Sequence, residues 1–291
     1  MPRERVKPPP PPPVESPPRP SDDVLRARLR EHIVALGIID LSDETLDTDL
    51  SWALHERPSY TQLLERVLGQ VAARRRERTT ERRITSGGIK IRRTLESFDW
   101  AFQPKLSRAA IEELAGLGFV HRHQDLLITG KSGTGKSHIL QALAIKACGQ
   151  EWMVRYTRCV DLVDDLYAGL ADGSYQRRMK RWCRPTLLVI DDVGLGQLKR
   201  RDDEPTAAHM LFTLLDRRHG EATTAITSNI KLSAWGSYLG DATLAAAVLD
   251  RLAATSIRID IDGPSYRQHL ARKRAEEHGQ QPPAEQEAVE A

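Results

Sequence analysis

The sequence predicts an α/β protein in which helices cover both faces of a central parallel sheet. From Thr94 onward, five apolar runs of strand length alternate with stretches of helical spacing, as in consecutive strand–helix units. A glycine-rich loop joins the first of these runs to the helix that follows it. Hydrophobic residues make up 40% of the 291-residue chain, which is enough to bury a core of this kind.

The elements of this α/β part can be placed from the apolar runs alone. The predicted strands are 126–129, 153–157, 186–190, 224–227 and 257–261, and the predicted helices are 138–148, 160–171, 206–218 and 244–252. The chain from Tyr266 onward is charged and then polar. We therefore expect no C-terminal helical lid domain.

The N-terminal part of the chain has a different texture. A proline tract comes first, which favours polyproline II and cannot pack a core. Ser21 can cap a helix that stops near Gly37, and Ser59 with Gln62 forms a capping box for a longer helix that ends near Gly87. The predicted organisation begins with a disordered tail over 1–20 and a small helical domain over 21–86, whose C-terminal end is rich in basic residues. A linker over 87–93 follows, then the α/β domain over 94–272 and a disordered tail over 273–291.

Composition narrows the class of protein. The longest apolar runs, such as 187–190, are far too short to span a bilayer, and the N-terminus lacks the apolar core of a signal peptide. We therefore expect a cytoplasmic protein with no membrane contact. Three cysteines in no metal-binding or CxxC spacing predict reduced thiols, either structural or at the surface.

The glycine-rich loop matches the Walker A pattern, with two glycines flanking four residues and then Lys and Ser. Its glycines let backbone N–H groups turn inward at a helix N-terminus and bind phosphate. Lys136 is expected to reach the β- and γ-phosphates, and Ser137 to ligate Mg²⁺. The sequence thus predicts ATP and Mg²⁺ as ligands. The residues expected to bind the nucleotide are Gly130, Lys131, Ser132, Gly133, Thr134, Gly135, Lys136, Ser137 and His138.

Polar residues follow the later strands in the order that such a site requires. The strand 186–190 ends in Asp191 and Asp192, and Asp191 is placed to hold the magnesium shell as a Walker B acid. Asn229 follows the next strand, where the alternative is a plain turn residue. Arg251 precedes the last strand, where the alternative is an ion pair with Asp250 or another acid within the same chain.

Beyond these motifs, three stretches carry a family resemblance: 94–100, 211–218 with 226–229, and 235–252. In order and spacing they resemble the IstB-like helper ATPases of transposition, within the initiator clade of AAA+ proteins, and more loosely DnaC and DnaA. The resemblance covers about 94–270. It implies an AAA+ core without a lid, and it places Phe98 and Trp100 near the adenine, although either residue fits a core position equally well.

The resemblance also implies roles for the later residues. Asp192 stands where most AAA+ proteins have a glutamate that orients the attacking water, and the shorter side chain weakens the expected activation. Asn229 becomes a sensor between the magnesium acid and the γ-phosphate. Arg251 becomes an arginine finger that reaches a neighbouring subunit. The implied partners are a homo-oligomer formed on ATP and DNA, duplex DNA, and an IstA-type DDE transposase.

Two clusters of basic residues are candidates for DNA contact, although a solvated arginine-rich face is an equally good interpretation. Such clusters predict non-specific phosphate contacts with a steep salt dependence. The candidate residues are Arg74, Arg75, Arg78, Arg82, Arg177, Arg178, Lys180 and Arg181.

The leading functional hypothesis is therefore a DNA-binding helper ATPase of a transposase, which converts ATP and water to ADP and phosphate slowly and is stimulated by DNA or oligomerisation. A replicative helicase loader of the DnaC kind is the alternative with the same core. A nucleotide-binding scaffold with negligible turnover is a third possibility that the paired aspartates leave open.

Overall fold

The computed structural model describes residues 20–196, 198 and 205–277, with the side chains of 254 and 255 excepted. The two predicted disordered tails, 1–20 and 273–291, lie outside the described residues apart from Pro20 and 273–277. The chain divides into two compact units, Met1–Arg75 and Arg76–Ala291. In the described residues, no helix is long and apolar enough to cross a membrane.

The first unit contains α1 (Asp22–Ala35), α2 (Asp43–Glu56) and the start of α3 (Tyr60–Ser86). The capping box before α3 forms, because the Ser59 N–H donates to Gln62 Oε1 at 2.8 Å and the Gln62 N–H donates to Ser59 Oγ at 3.3 Å. Ser21 occupies the N-cap position of α1, but its side chain makes no capping hydrogen bond. The boundary between the units falls within α3, whereas the domain boundary at 87–93 remains a sequence-based prediction.

The second unit contains a fully parallel sheet with the order β2-β3-β4-β1-β5. The predicted fold class is confirmed, and every predicted strand is present with small shifts at its ends. The strands are β1 (Leu126–Gly130), β2 (Val154–Arg158), β3 (Leu187–Val193), β4 (Thr223–Ser228) and β5 (Ile257–Ile261). The helices are α4 (Arg108–Ala115), α5 (Gly118–His121), α6 (Lys136–Gly149), α7 (Cys159–Ala171), α8 (Tyr175–Cys183), α9 (Ala207–Arg218), α10 (Trp235–Leu239), α11 (Ala242–Thr255) and α12 (Tyr266–Glu277).

The sheet is covered by apolar side chains on both faces, which explains its uninterrupted apolar strands. One cluster includes Leu126 and Ile128 with α6, and the other includes Leu127 with α7 and α9. After β5 the described chain forms one helix, α12, and no separate lid domain. Residues 273–277, which we assigned to a disordered tail, belong to this helix.

Arg218 is a fully buried cation at the end of α9, only 1% exposed. Its guanidinium donates to the backbone carbonyls of Cys183 at 2.7 Å, Pro185 at 2.8 Å and Thr223 at 2.5 Å, and to Thr224 Oγ1 at 3.0 Å. Burial lowers its pKa to about 10. The side chain therefore ties the segment before β3 to the start of β4.

Arg218→Met is expected to lower the free energy of unfolding by about 3–5 kcal/mol, because it leaves several buried carbonyls without a donor. Chemical denaturation followed by circular dichroism measures this loss. Arg217→Met, an exposed change on the same helix turn, is the matched control and should shift stability by less than about 0.5 kcal/mol. Equal effects from the two variants would contradict a structural role for the Arg218 hydrogen bonds.

Candidate active site

The predicted phosphate loop connects β1 to α6, and side chains from other segments of the chain pack closely against it. Gly133 and Gly135 have positive φ angles of 85° and 101°, which favour glycine. A Cβ at Gly135 would lie 2.7 Å from Cε2 of Phe98, and one at Gly133 would overlap the side chain of Ser265. The loop conformation and its neighbours therefore both require glycine at these two positions.

Lys136 begins α6, and its side chain is buried within the loop. Its Nζ donates to the carbonyls of Gly130 at 2.6 Å and Lys131 at 2.7 Å. Burial lowers the pKa of Lys136 to about 8, although the nearby Asp192 and Asp191 carboxylates favour the charged form. The loop thus holds a buried cation beside two acids.

Asp191 is buried at the end of β3, and three hydroxyl groups donate to its carboxylate. Ser137 Oγ donates to Oδ1 at 2.9 Å. The Thr227 hydroxyl donates to the same oxygen, and the Tyr156 hydroxyl donates to Oδ2. The structure therefore brings together Ser137 and Asp191, the two predicted magnesium ligands. Hydroxyl and carboxylate oxygens are the protein ligands that Mg²⁺ prefers.

Asp192 has a positive φ of 61°, at the point where the β3–β4 register shifts between Ile190 and Val193. Its N–H donates to Thr227 Oγ1 at 2.8 Å, and its Oδ1 accepts from Asn229 Nδ2 at 3.0 Å. The irregularity directs the Asp192 side chain into a cavity that Asn229 also lines. The two residues that the resemblance assigns to water and phosphate are thus hydrogen-bonded to each other.

The segment before β1 forms another wall. Phe98 packs against Trp100 with ring centroids 4.7 Å apart and against the edge of the His138 ring at 5.2 Å. Phe98 and His138 line the cavity, whereas Trp100 does not. A His138 ring nitrogen lies 2.8 Å from the carbonyl of Thr94, and burial lowers the pKa of His138.

Helix α12 supplies residues that the sequence reasoning missed. The Tyr266 N–H donates to the carbonyl of Gly133 at 3.0 Å, and Arg267 donates to Ser132 Oγ at 2.9 Å. Tyr266, Arg267 and Leu270 line the cavity. The signal that could have found them is the spacing of Tyr266 and Leu270, four residues apart on one helical face.

Arg251 lies outside this cavity within its own chain. It forms an ion pair with Asp216 at 2.5 Å, and its guanidinium lies 4.9 Å from the ring centroid of Phe212. The ion-pair alternative is therefore the arrangement in this structure, with Asp216 rather than Asp250 as the partner. Its action on a neighbouring subunit remains a prediction.

The candidate DNA-binding residues differ in whether they are exposed or paired with other groups of the chain. On α8, Arg178 pairs with Asp165 at 2.5 Å and Asp172 at 2.8 Å, and Arg181 pairs with Asp165 at 2.8 Å. Arg177 and Lys180 are exposed. On α3, Arg74 donates to the carbonyl of Asp40 at 3.1 Å, and Arg82 is exposed. The charge of α8 is thus partly neutralised by acids of its own surroundings.

One cavity of about 780 Å³ is lined by Phe98, Lys136, Asp191, Asp192, Asn229 and Tyr266, among others. Its lining includes Lys136 of the phosphate loop and the acids Asp191 and Asp192. The aromatic rings of Phe98 and Tyr266 form other parts of the wall. Its chemistry therefore fits a nucleotide with a divalent cation.

A parallel sheet of this order, with a Walker A loop after β1 and paired carboxylates at the end of β3, defines a P-loop nucleotide-binding protein of the AAA+ class. The chain belongs to the IstB-like ATP-binding protein family, whose sequence profile matches residues 39–275. The predicted family is thereby confirmed.

Relatives within insertion sequences support this assignment. The chain is 31% identical to the ATP-binding protein of insertion sequence IS21 from Pseudomonas aeruginosa, over 86% of this chain and 90% of that protein. It is 32% identical to the ATP-binding protein of IS5376 from Geobacillus stearothermophilus, over 76% and 86%. Among solved structures, it is similar to domain III of Thermotoga maritima DnaA, with a TM-score of 0.49 and 21% identity over 65% of this chain and 76% of that chain.

Proposed function

We propose that this protein hydrolyses ATP to ADP and phosphate and acts as the DNA-binding helper of a transposase. The observation that carries the proposal is the assembly of Lys136, Asp191 and Asp192 in one cavity, in a chain whose relatives are ATP-binding proteins of insertion sequences.

The proposed roles follow from charge and position. Lys136 exchanges its loop carbonyls for phosphate oxygens, and the loop N–H groups bind the same phosphates. Ser137 and Asp191 would hold Mg²⁺, which when bound neutralises charge on the phosphates. Asp192 orients the attacking water and accepts its proton, and Asn229 keeps the Asp192 carboxylate in place through the 3.0 Å hydrogen bond.

Arg267 is a second cation, after Lys136, that could stabilise the charge of the phosphates. Its guanidinium, already bonded to the loop at Ser132, lines the cavity within the same chain. A cation in this position stabilises negative charge on the phosphates without help from a second subunit.

A homo-oligomer supplies the arginine finger in this proposal. Arg251 would leave Asp216 and contact the nucleotide of a neighbouring subunit. The Arg251–Asp216 pair is partly exposed, with side chains 35% and 46% accessible. Such pairs contribute little stability, so breaking the ion pair with Asp216 costs little.

Duplex DNA is the proposed nucleic-acid ligand, and an IstA-type DDE transposase is the proposed protein partner. Among the predicted candidates, Arg177, Lys180 and Arg82 are exposed and are the proposed contacts to DNA phosphates. Arg178 and Arg181 would have to release Asp165 before they could contact phosphate.

The direct test measures duplex-DNA affinity at several salt concentrations with ATP and with ADP. We expect ATP to give tight binding that weakens steeply with salt, with a log–log slope of about −0.9 per phosphate contact. Arg177→Ala with Lys180→Ala should lower the magnitude of that slope by about 2, whereas Arg122→Ala, an exposed change elsewhere on this unit, should not.

Other outcomes would favour the alternatives. Binding restricted to single-stranded DNA or to a replicative helicase would replace the transposition proposal with a helicase loader. ATP-dependent DNA binding with no measurable phosphate release would identify a nucleotide-controlled scaffold.

A further inference from the structure

Tyr156 makes a polar contact at the Walker B acid that the roles above do not use. It lies on β2, and its hydroxyl donates to Oδ2 of Asp191. Gln141 Nε2 on α6 donates to the same hydroxyl at 3.3 Å. Burial and the neighbouring Asp191 carboxylate raise the pKa of Tyr156, so the hydroxyl keeps its proton and remains a donor.

The backbone of Tyr156 is held from both sides. Within the sheet it pairs with Val189 of β3. On its other side, the Tyr156 N–H donates to the carbonyl of Gly87 at 2.7 Å, and a Cβ at Gly88 would lie 2.9 Å from the Tyr156 carbonyl oxygen. These main-chain contacts therefore fix the backbone from which the Tyr156 ring extends.

Gln141 restricts the hydroxyl further. Its side chain is nine-tenths buried on the wall of the cavity. Within the described part of the chain, its Oε1 has no hydrogen-bond partner. The polar contact of this amide is thus directed to the Tyr156 hydroxyl, which leaves that proton free to point at Asp191.

The two oxygens of Asp191 are therefore held by different elements. Ser137 and Thr227 donate to Oδ1, and Tyr156 donates to Oδ2. If a bound Mg²⁺ replaced one of these donors, the others would still fix the plane of the Asp191 carboxylate. Removing a group that orients a metal ligand in this way typically lowers metal affinity by about 10- to 100-fold.

Resting on the proposed Mg²⁺-dependent binding of ATP, we propose that Tyr156 is a positioning residue of the magnesium site, which fixes the Asp191 carboxylate through its Oδ2. The hydroxyl touches neither nucleotide nor metal in this role. Its removal changes the Mg²⁺ requirement and leaves the phosphate loop intact.

The test titrates Mg²⁺ into wild-type protein and into Tyr156→Phe at a fixed concentration of a fluorescent ATP analogue. The readout is the fluorescence of the bound analogue. We expect the Mg²⁺ concentration for half-maximal enhancement of binding to rise about tenfold. Affinity for the analogue in EDTA should be unchanged, because the loop and Lys136 are untouched. Gln141→Leu should give a smaller shift in the same direction, and Tyr60→Phe, at a side chain 90% exposed in the other unit, should give none.

Each remaining outcome overturns the inference. An unchanged Mg²⁺ midpoint in Tyr156→Phe shows that the hydroxyl only satisfies a buried acid. An equal loss of affinity in EDTA, together with a lower Tm, shows a general structural role. If wild-type protein binds the analogue with no Mg²⁺ dependence, the proposed Mg²⁺ contribution to ATP binding is wrong, and the role of Tyr156 is contradicted with it.

Discussion

Lys136→Ala is expected to abolish nucleotide binding at ordinary ATP concentrations. The ammonium group would make at least two charge-assisted hydrogen bonds to phosphate oxygens, each contributing about 1.5–3 kcal/mol. Their combined loss corresponds to about a 10²- to 10⁴-fold lower affinity. The variant also removes the contacts from Lys136 Nζ to the carbonyls of Gly130 and Lys131 within the loop. Isothermal titration with ATP in the presence of Mg²⁺ measures the effect.

The matched control for this experiment lies on the same helix. Lys146→Ala removes an exposed lysine of α6 near its C-terminal end and should leave ATP affinity within about twofold. If Lys136→Ala retained full ATP affinity, the Walker A loop could not be the nucleotide site of this chain. The DNA-binding assay extends the prediction, because Lys136→Ala should also lose the ATP-dependent part of duplex binding.

The sheet could be predicted from the sequence because its signals are local. A parallel strand buried on both faces appears as a continuous apolar run, such as 187–190, and needs no knowledge of its neighbours. The Walker A loop is equally local, since its glycines, Lys136 and Ser137 are contiguous. The end of β3 was harder to place, because the strand continues beyond the apolar run through Asp191 and Asp192 to Val193.

The parts that could not be predicted depend on contacts between distant residues. Arg267 donates to Ser132, which lies 135 positions earlier in the chain. The charged residues of α12 give no indication of that partner. The pairing of Arg178 with Asp165 has the same origin, because a basic cluster looks the same in sequence whether acids neutralise it or not. Helix α2 is a different case: it was not predicted, although Leu46, Leu50, Ala53 and Leu54 are spaced to form one apolar stripe of a helix.

Asp192→Asn is expected to separate ATP binding from hydrolysis. The substitution keeps the size of the side chain and an Oδ1 that can still accept from Asn229 Nδ2. Asn also tolerates a φ of 61° about as well as Asp does, so the backbone at the β3 irregularity should persist. What is lost is the negative charge that accepts a proton from water. General-base effects of this kind are worth about 10²- to 10⁴-fold in rate.

The same geometry gives a physical reason for an aspartate at this position. A residue held at positive φ is more often Asp or Asn than a longer side chain, because the short polar group tolerates that backbone conformation. Asp192→Glu would therefore lengthen the side chain at the cost of backbone strain. It should not behave as a simple restoration of the more usual AAA+ glutamate.

Phosphate release measured in single turnover, alongside ATP affinity, decides the role of Asp192. We expect Asp192→Asn to lower the hydrolysis rate at least 100-fold, with ATP affinity within about threefold of wild type and ATP-dependent DNA complexes that persist longer. Asp260→Asn is the control, because this exposed carboxylate accepts from Thr129 Oγ1 at 2.8 Å through an oxygen that asparagine retains. A hydrolysis rate unaffected by Asp192→Asn would assign proton acceptance to another group. If wild type and variant were equally inactive, the protein would act through nucleotide binding alone.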